Sequence, residues 1–232
     1  LSRIYSGEGI LMDEFARERR IFTPIDEIPD LVKQAFISAE DKNFYEHHGF
    51  DPRGIVAALY DAATTGERLR GASTITQQVM KNFLLTGDRS GERKIKEIIL
   101  ATRLESTLSK DEILELYLNE IFLGQNSYGV TAAAQVYFAK SLDELTLAEA
   151  AYLAALPQAP SVLHPVREKD RAIARRNYVL DQMAANGYVT ADAAKAAKAE
   201  DLLTVQSGAI TSARAEMPPR DYFTDEIRRQ LS

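Results

Sequence analysis

Residues 35–49 read AFISAEDKNFYEHHG and contain the carboxylate around which we expect the chain to be organised. A helix over residues 31–41 would place Val32, Phe36 and Glu40 at positions i, i+4 and i+8, so its core-facing apolar stripe would end in a carboxylate. Partial burial raises the pKa of a carboxyl group toward the range in which it exchanges a proton at neutral pH. The alternative is that the helix ends here and that Glu40 and Asp41 turn out into water.

The composition is that of a globular protein. The 232 residues, 45% hydrophobic and 27% charged, suffice for one large domain or two small ones. The net charge of −6 argues against nucleic acid as a partner, because nucleic-acid-binding proteins usually carry a basic surplus. Cysteine is absent, which excludes a disulfide framework and a thiolate metal site, and three histidines do not favour a His-rich metal site.

The chain has no recognisable membrane-spanning or targeting segment. No stretch approaches the roughly 18 apolar residues of a membrane span, and no signal peptide is visible. Because the sequence begins at Leu1, we expect a fragment whose upstream membrane anchor is missing. Residues 1–28 are predicted to form a β-hairpin or extended segment, residues 29–200 a helical domain, and residues 201–232 a lead-in to a further domain.

Residues 44–70 combine scattered arginines with aromatic and aliphatic side chains, which are concentrated in residues 44–60. Glycines and a proline interrupt the pattern, and a short apolar helix is predicted over residues 55–63. Two interpretations remain open for this region. It forms either a packed satellite cluster or an amphipathic surface that touches a membrane.

Residues 71–81, with the sequence GASTITQQVMK, are predicted to begin a helix capped by Ser73. The helix would bury Ile75, Val79 and Phe83 on one face. Its other face would carry a polar stripe of Thr74, Gln77, Gln78 and Lys81. Such a stripe is either a solvated face or a hydrogen-bonding surface for hydroxyl groups and phosphate oxygens, to which the helix N-terminus would add affinity for an anion.

Residues 88–105, with the sequence DRSGERKIKEIILATRLE, are predicted to form another helix. We expect its apolar residues to be buried on one side: Ile95, Ile98, Ile99 and Leu100. Cations crowd its start: Arg89, Arg93, Lys94 and Lys96. Because cations oppose the macrodipole at a helix N-terminus, this clustering indicates that an anion binds there. Glu97 could simply pair with Arg93 at i,i+4, which contributes a few tenths of a kcal/mol.

The rest of the chain is predicted to be helical scaffold. Helices are expected over residues 110–120, after the loop at residues 124–129, and over residues 146–156, 167–186 and 190–199. Thr146 and Glu149 have the spacing of a capping box, and Gly187 is placed to end the long helix.

Four sequence motifs follow one another along the chain. They are E-D-x-x-F-x-x-H-x-G at residues 40–49, G-x-S-T-x-T-Q-Q-x-x-K at residues 71–81, R-K-x-x-E at residues 93–97, and K-x-x-I-L-E-x-Y-L-N at residues 110–119. Together they resemble the peptidoglycan glycosyltransferase domain, family 51, of class A penicillin-binding proteins and their monofunctional relatives. The resemblance covers about residues 3–231. One position departs from it, because His164 stands before Pro165 where the family pattern would have Asn.

The resemblance implies a mainly α, lysozyme-like fold with a large head lobe and a small jaw lobe at about residues 50–70 that touches the membrane. It implies polymerisation of lipid II on the outer face of the bacterial cytoplasmic membrane. In this reaction the 4-hydroxyl group of an acceptor GlcNAc attacks, with inversion, the anomeric carbon of a MurNAc linked to lipid pyrophosphate. It also implies a transpeptidase domain after Ser232 and cell-division or elongation proteins as partners. No nucleic acid is expected.

The resemblance also implies roles for individual residues. Glu40 would be the general base on the acceptor hydroxyl group, and Glu97 would position a basic side chain or a divalent cation, Mg²⁺ or Mn²⁺, although the sequence requires no cofactor. The leaving pyrophosphate would be bound by Lys81, Arg89, Arg93 and Lys94. Sugar or phosphate oxygens would be held by Ser73, Thr74, Gln77 and Gln78. The acceptor side would be shaped, or the fold braced, by Asp41, Phe44, His47, Gly49 and Asn119.

Two other classes of function remain as alternatives. A lytic enzyme of the lysozyme type would use one catalytic Glu to cleave glycan, but it has no need of the basic cluster at residues 89–96. A non-catalytic cell-wall docking domain would tolerate the loss of Glu40 and Glu97. Transpeptidation by these residues is excluded, because neither S-x-x-K nor K-T-G occurs.

Overall fold

A computed structural model of the chain describes residues 2–5, 11–15, 18–65, 73–84 and 91–211. The fold is mainly helical with a small β element near the N-terminus, as predicted. The strands are β1 (Ser2–Tyr5), β2 (Leu11–Phe15), β3 (Arg19–Arg20) and β4 (Ser127–Tyr128). The helices are α1 (Asp30–Glu40), α2 (Pro52–Thr65), α3 (Ile75–Leu84), α4 (Gly91–Glu105), α5 (Lys110–Glu120), α6 (Val130–Phe138), α7 (Leu147–Ala155), α8 (Lys169–Ala185) and α9 (Ala191–Ala199).

The N-terminal β-hairpin is confirmed, because β1 and β2 pair antiparallel with Ser2 opposite Phe15. β3 pairs in parallel with β4. This pairing joins the N-terminal segment to the loop before α6. The bounds of α1, α5, α7, α8 and α9 agree with the predictions to within two residues, whereas α2 is longer than the expected residues 55–63. The predicted start of α4, at residues 88–90, lies outside the described residues. No helix in the described ranges has the length and apolarity needed to cross a membrane.

The core is built around α1, which packs against α7 and α8. α7 is buried over almost its whole length, and its alanines allow the neighbouring helices to approach closely. Tyr152 on α7 lies edge-on to Tyr137 at a centroid distance of 5.6 Å, and Phe36 on α1 lies edge-on to Tyr117 on α5 at 6.3 Å. This packing fixes the end of α1, where Glu40 lies, relative to α5 and α8.

The helix ends largely follow the predicted signals. Thr146 and Glu149 form the expected capping box of α7, and Gly187, at φ +75°, follows the end of α8. The cap predicted at Ser73 is wrong by one residue. α3 begins at Ile75, and the Thr74 hydroxyl group accepts a hydrogen bond from the Gln77 backbone N–H at 3.2 Å.

The burial predicted for α4 is wrong at two positions, since Ile95 is 62% and Ile99 47% exposed. The buried stripe consists instead of Glu97, Ala101 and the Glu105 side chain. α4 packs against α3, whose facing side chains include Thr76 and Gln77. Glu97 and the Glu105 side chain therefore face inward, and Ile95 and Ile99 face solvent.

Several large apolar side chains on and near α2, α3 and α4 are exposed, and we call them the exposed apolar residues: Phe50, Val56, Phe83, Ile95 and Ile99. Ordinary core packing does not account for them, since they lie outside the buried cluster. They favour an interaction surface over the packed satellite cluster considered for residues 44–70.

His164 accepts the backbone hydrogen bonds that the expected Asn would accept at this position. Its Nδ1 accepts hydrogen bonds from the backbone N–H groups of Val166 and Arg167 at 3.2 and 3.3 Å. An Asn side-chain oxygen would accept the same two bonds. Burial, followed by the nearby Arg167 guanidinium, lowers the pKa of His164, which keeps this nitrogen able to accept.

We therefore expect His164→Asn to reduce the loss of stability on acidification. Because the folded-state pKa of His164 is lowered, its contribution is present above the unfolded-state value of about 6.5 and is lost as pH falls through the folded-state value. Urea denaturation from pH 7.5 to 5.0 should show a steeper loss in the native chain than in the variant. Parallel curves for the two proteins would contradict this expectation.

Candidate active site

Glu40 is the last residue of α1 and lies at the end of the predicted buried stripe. Its Oε2 accepts a 2.8 Å hydrogen bond from the side-chain amide of Gln78 on α3. Burial raises the pKa of Glu40 against the opposing effects of Gln78 and Arg175, and Asp41 adds to the rise. The predicted upward shift of this pKa is confirmed.

Asp41 does not turn out into water, so the solvated alternative is wrong for this residue. Its carboxylate accepts from the His47 Nε2 at 2.8 and 3.0 Å and from the backbone N–H of Ile75 at 3.0 Å. Asp41 and His47 are both 7% exposed. Asp41 therefore joins the end of α1 to the N-terminus of α3, where a negative charge interacts favourably with the helix dipole.

Gly49 allows the turn after Phe44 to lie directly on α4. Its φ of +82° favours glycine, and an added Cβ would lie 2.6 Å from the backbone nitrogen of Thr102. The Thr74 hydroxyl group donates to the Gly49 carbonyl at 2.8 Å. The first and second sequence motifs are thus joined at this turn.

Lys94 connects α4 to the start of α3. Its Nζ donates to Ser73 Oγ at 2.9 Å, to Gln77 Oε1 at 3.2 Å and to Glu97 Oε2 at 3.0 Å. The structure therefore brings together three of the residues predicted to bind pyrophosphate or sugar, Lys94, Ser73 and Gln77, with Glu97. Because Thr74 and Gln77 are buried and hold the helix terminus, a direct contact of either with substrate stays a prediction.

Glu97 is buried, at 3% exposure, between two cations. Its Oε1 lies 3.2 Å from the Nε of Arg93, in addition to the contact with Lys94. Glu97 therefore holds the side chains of both Arg93 and Lys94 in position. Within the described ranges, no group of three or more His, Asp or Glu residues could hold a metal ion, and a divalent cation near Glu97 stays a prediction.

The other cations predicted to bind pyrophosphate are Lys81 and Arg89. Lys81 is exposed in the last turn of α3, where a cation interacts favourably with the helix dipole. Arg89 lies outside the described residues. Their binding of pyrophosphate stays a prediction.

Phe44 and Asn119 occupy structural positions. Phe44 is fully buried, and the Lys110 Nζ lies 4.5 Å from its ring centroid. Asn119 binds the backbone of Thr23 twice, accepting from its N–H at 2.8 Å and donating to its carbonyl at 2.9 Å. Glu115, one turn earlier, accepts from the Ile25 N–H at 2.8 Å. α5 thus holds the segment that leads into α1.

The sequence analysis missed groups that face Glu40 from other helices. Arg175 on α8 lowers the Glu40 pKa, and its guanidinium lies 4.4 Å from the Tyr178 ring centroid. Burial and then the Glu40 and Asp41 carboxylates raise the pKa of Tyr117. In the sequence, the pair of adjacent arginines at residues 175–176 was the signal that could have indicated a charged group on α8. The structure buries the second of them, Arg176. Nothing in the spacing of α5 distinguished Tyr117 from a core tyrosine.

The arrangement combines a proton acceptor with an anion-binding region. Gln78 orients the Glu40 carboxylate, whose raised pKa suits proton transfer near neutral pH. Lys94 donates to Gln77, the residue before Gln78 on α3, and both Lys94 and Arg93 contact Glu97. Such a site can remove a proton from a hydroxyl group and stabilise an anionic leaving group.

Comparison with known proteins agrees with this chemistry. A family model described as Transglycosylase matches residues 8–184. Penicillin-binding protein 1A of Rickettsia felis is 49% identical over 234 residues, covering 100% of this chain and 29% of that protein. The Escherichia coli protein of the same name is 54% identical over 188 residues, covering 81% of this chain and 22% of that protein.

A solved structure also resembles this chain. The crystal structure of penicillin-binding protein 1A from Haemophilus influenzae matches with a TM-score of 0.59 at 30% sequence identity, covering 99% of this chain and 23% of that chain. The chain spans less than a third of the length of these relatives.

Proposed function

Because this chain belongs to the transglycosylase family of peptidoglycan glycosyltransferases, we propose that it polymerises lipid II into β-1,4-linked glycan strands by inverting transfer. The released group is undecaprenyl pyrophosphate. The observation that carries the proposal is the Glu40 carboxylate, which combines a raised pKa with a hydrogen bond from Gln78 of α3. The preceding residue of α3, Gln77, accepts a hydrogen bond from Lys94 of α4.

Glu40 is the general base of the reaction. It removes the proton from the 4-hydroxyl group of the acceptor sugar as this oxygen attacks the anomeric carbon of the donor. One displacement at that carbon turns the α-linked donor into a β-linked product. This step requires a base on only one side of the sugar, and the site has one carboxylate so oriented by Gln78.

The basic residues stabilise the departing pyrophosphate. Lys94 and Arg93 are fixed in position by Glu97, so their charges need no reorganisation as negative charge develops on the leaving group. Lys81 and Arg89 are further cations that we propose to bind the lipid-linked pyrophosphate. Glu97 acts through these cations and does not itself touch the reacting atoms.

The lipid-linked substrate places the domain at the outer face of the cytoplasmic membrane. The exposed apolar residues on and near α2, α3 and α4 support membrane contact by this part of the molecule. The relatives are more than three times as long as their matched regions, which supports a further domain, such as a transpeptidase, in the whole protein. Cell-division or elongation proteins are the partners proposed for that whole protein.

A polymerisation assay on this chain tests the proposal. Lipid II in detergent is incubated with the protein, with and without moenomycin, and the products are resolved on a gel. We expect glycan chains that disappear when moenomycin is added. Preformed glycan serves as the control substrate, because its cleavage without polymerisation would instead identify a lytic enzyme. Inactivity toward both substrates would favour the docking-domain alternative.

A further inference from the structure

Glu105, the last residue of α4, is a buried carboxylate that the proposed reaction does not use. Its side chain is 3% exposed. Oε1 accepts from the Thr76 hydroxyl group at 2.5 Å and from the Lys110 Nζ at 2.8 Å. Glu105 therefore joins α4 to the first turns of both α3 and α5. Burying a carboxylate costs free energy, and one salt bridge with good geometry at most offsets that cost.

The ring of His47 lies between Glu105 and Asp41. Nε2 is bonded to Asp41, and Nδ1 lies 3.9 Å from Glu105 Oε1. Because a carboxylate can only accept, the Nε2 atom carries the proton of that hydrogen bond. Nδ1 and Glu105 Oε2 are both buried and have no hydrogen-bond partner within the described ranges. The exposed His48 lies 4.0 Å from the same Oε2.

This network leads directly to the proposed base. Asp41 follows Glu40 in the chain and accepts from the first backbone N–H of α3. Gln78, one turn further along α3, donates to Glu40. A displacement of the His47 ring would therefore move Asp41, and with it both Glu40 and the α3 residue that orients it.

We propose that Glu105 is a positioning residue, which fixes the His47 ring against Asp41 and so sets the relative position of Glu40 and Gln78. This inference rests on the proposed function, because the positions of Glu40 and Gln78 matter for activity only if the chain polymerises lipid II. Glu105 acts through the buried network and does not touch substrate. Lys110 balances its charge and holds it by an ion pair at the start of α5.

Glu105→Gln is the test variant, and Glu149→Gln is its matched control. Gln has the same shape as Glu and can still accept from Thr76, but it loses the charge that faces Lys110 and His47. Glu149 is likewise a largely buried carboxylate paired with a lysine, Lys140, at 2.8 Å, but it belongs to the α7 capping box. Each variant is measured by urea denaturation, by steady-state polymerisation of lipid II and by NMR of the histidine ring protons.

We expect Glu105→Gln to lower kcat about 10-fold or more while KM for lipid II changes less than about 2-fold, because the base is displaced but the substrate contacts remain. Exchange of the His47 Nε2 proton with solvent, slow in the native chain, should accelerate by a similar factor. Glu149→Gln should lose stability without either change. A kcat of Glu105→Gln equal to that of the control, once corrected for the folded fraction, would overturn the proposal.

The ring-proton measurement separates this inference from the proposed function. If the native chain did not polymerise lipid II, the exchange of the Nε2 proton would still report whether Glu105 fixes His47, and unchanged exchange in Glu105→Gln would overturn the positioning role. If Glu105→Gln did not fold, Thr76→Val would remove the 2.5 Å hydrogen bond that orients Glu105 and would be judged by the same two criteria.

Discussion

Glu40→Gln is expected to abolish lipid II polymerisation, lowering the rate by about 10³-fold or more, because it removes the only group we assign as general base. Gln has nearly the same shape as Glu, and its side-chain oxygen can still accept from Gln78. Product gels and initial rates at equal protein concentration measure the effect. Glu46→Gln is the matched control, since Glu46 is exposed in the same motif and should retain full activity.

The same substitution should leave the fold intact or stabilise it. Burial raises the pKa of Glu40, so the charged form is disfavoured in the folded state and costs free energy above the unfolded-state pKa. Gln is neutral at every pH and does not incur this cost. If the Glu40→Gln variant polymerised lipid II at an unchanged rate, Glu40 would not be the general base. If the variant were inactive and unfolded, Glu40 would be needed for folding.

Lys94→Met should lower polymerisation about 10²-fold, because it removes a fixed positive charge from the leaving-group side of the site. We expect a loss of about 2 kcal/mol in the free energy of unfolding, since Glu97 becomes a buried carboxylate with one of its two cations removed. Lys96→Met is the matched control. Lys96 is 58% exposed and pairs with Glu92 on the surface, where such pairs contribute little.

A double-mutant cycle separates the two effects of Lys94. In Lys94→Met/Glu97→Gln the carboxylate is neutral, so much of the lost stability should return. The activity should not return, because the positive charge is still missing. Recovery of activity together with stability would mean that Lys94 acts only by holding α3 and α4 together, and it would contradict a role in stabilising the leaving group.

The end of α1 could be predicted from the sequence because its signal is local. The i, i+4, i+8 spacing of Val32, Phe36 and Glu40 depends only on helical periodicity. The structure buries Val32 and Phe36 fully and leaves Glu40 partly buried at the end of the stripe. The capping box at Thr146 is equally local. The cap of α3 was placed one residue early, because Ser73 and Thr74 are both good caps and only the tertiary contact of Thr74 with Gly49 distinguishes them.

The inward face of α4 could not be predicted from hydrophobicity, because it depends on the helix it packs against. The isoleucines were expected to be buried, but the facing side of α3 offers Gln77 and Thr76. Glu97, Ala101 and Glu105 recur at i, i+4 and i+8, the same spacing that identified Glu40. Glu is rarely buried without a partner, so hydrophobicity gives no signal for this stripe. Lys94 and Lys110, which pair with Glu97 and Glu105, explain the burial of the two carboxylates.

The attachment of the N-terminal segment to α5 has a mechanical consequence. Asn119 and Glu115 hold the backbone at Thr23 and Ile25 through three hydrogen bonds, before the chain reaches α1. A tensile force applied upstream of Thr23 would load these bonds, and through them α5, rather than pull on the first turn of α1. A pulling force on this segment would therefore leave the Glu40 carboxylate, at the other end of α1, in place.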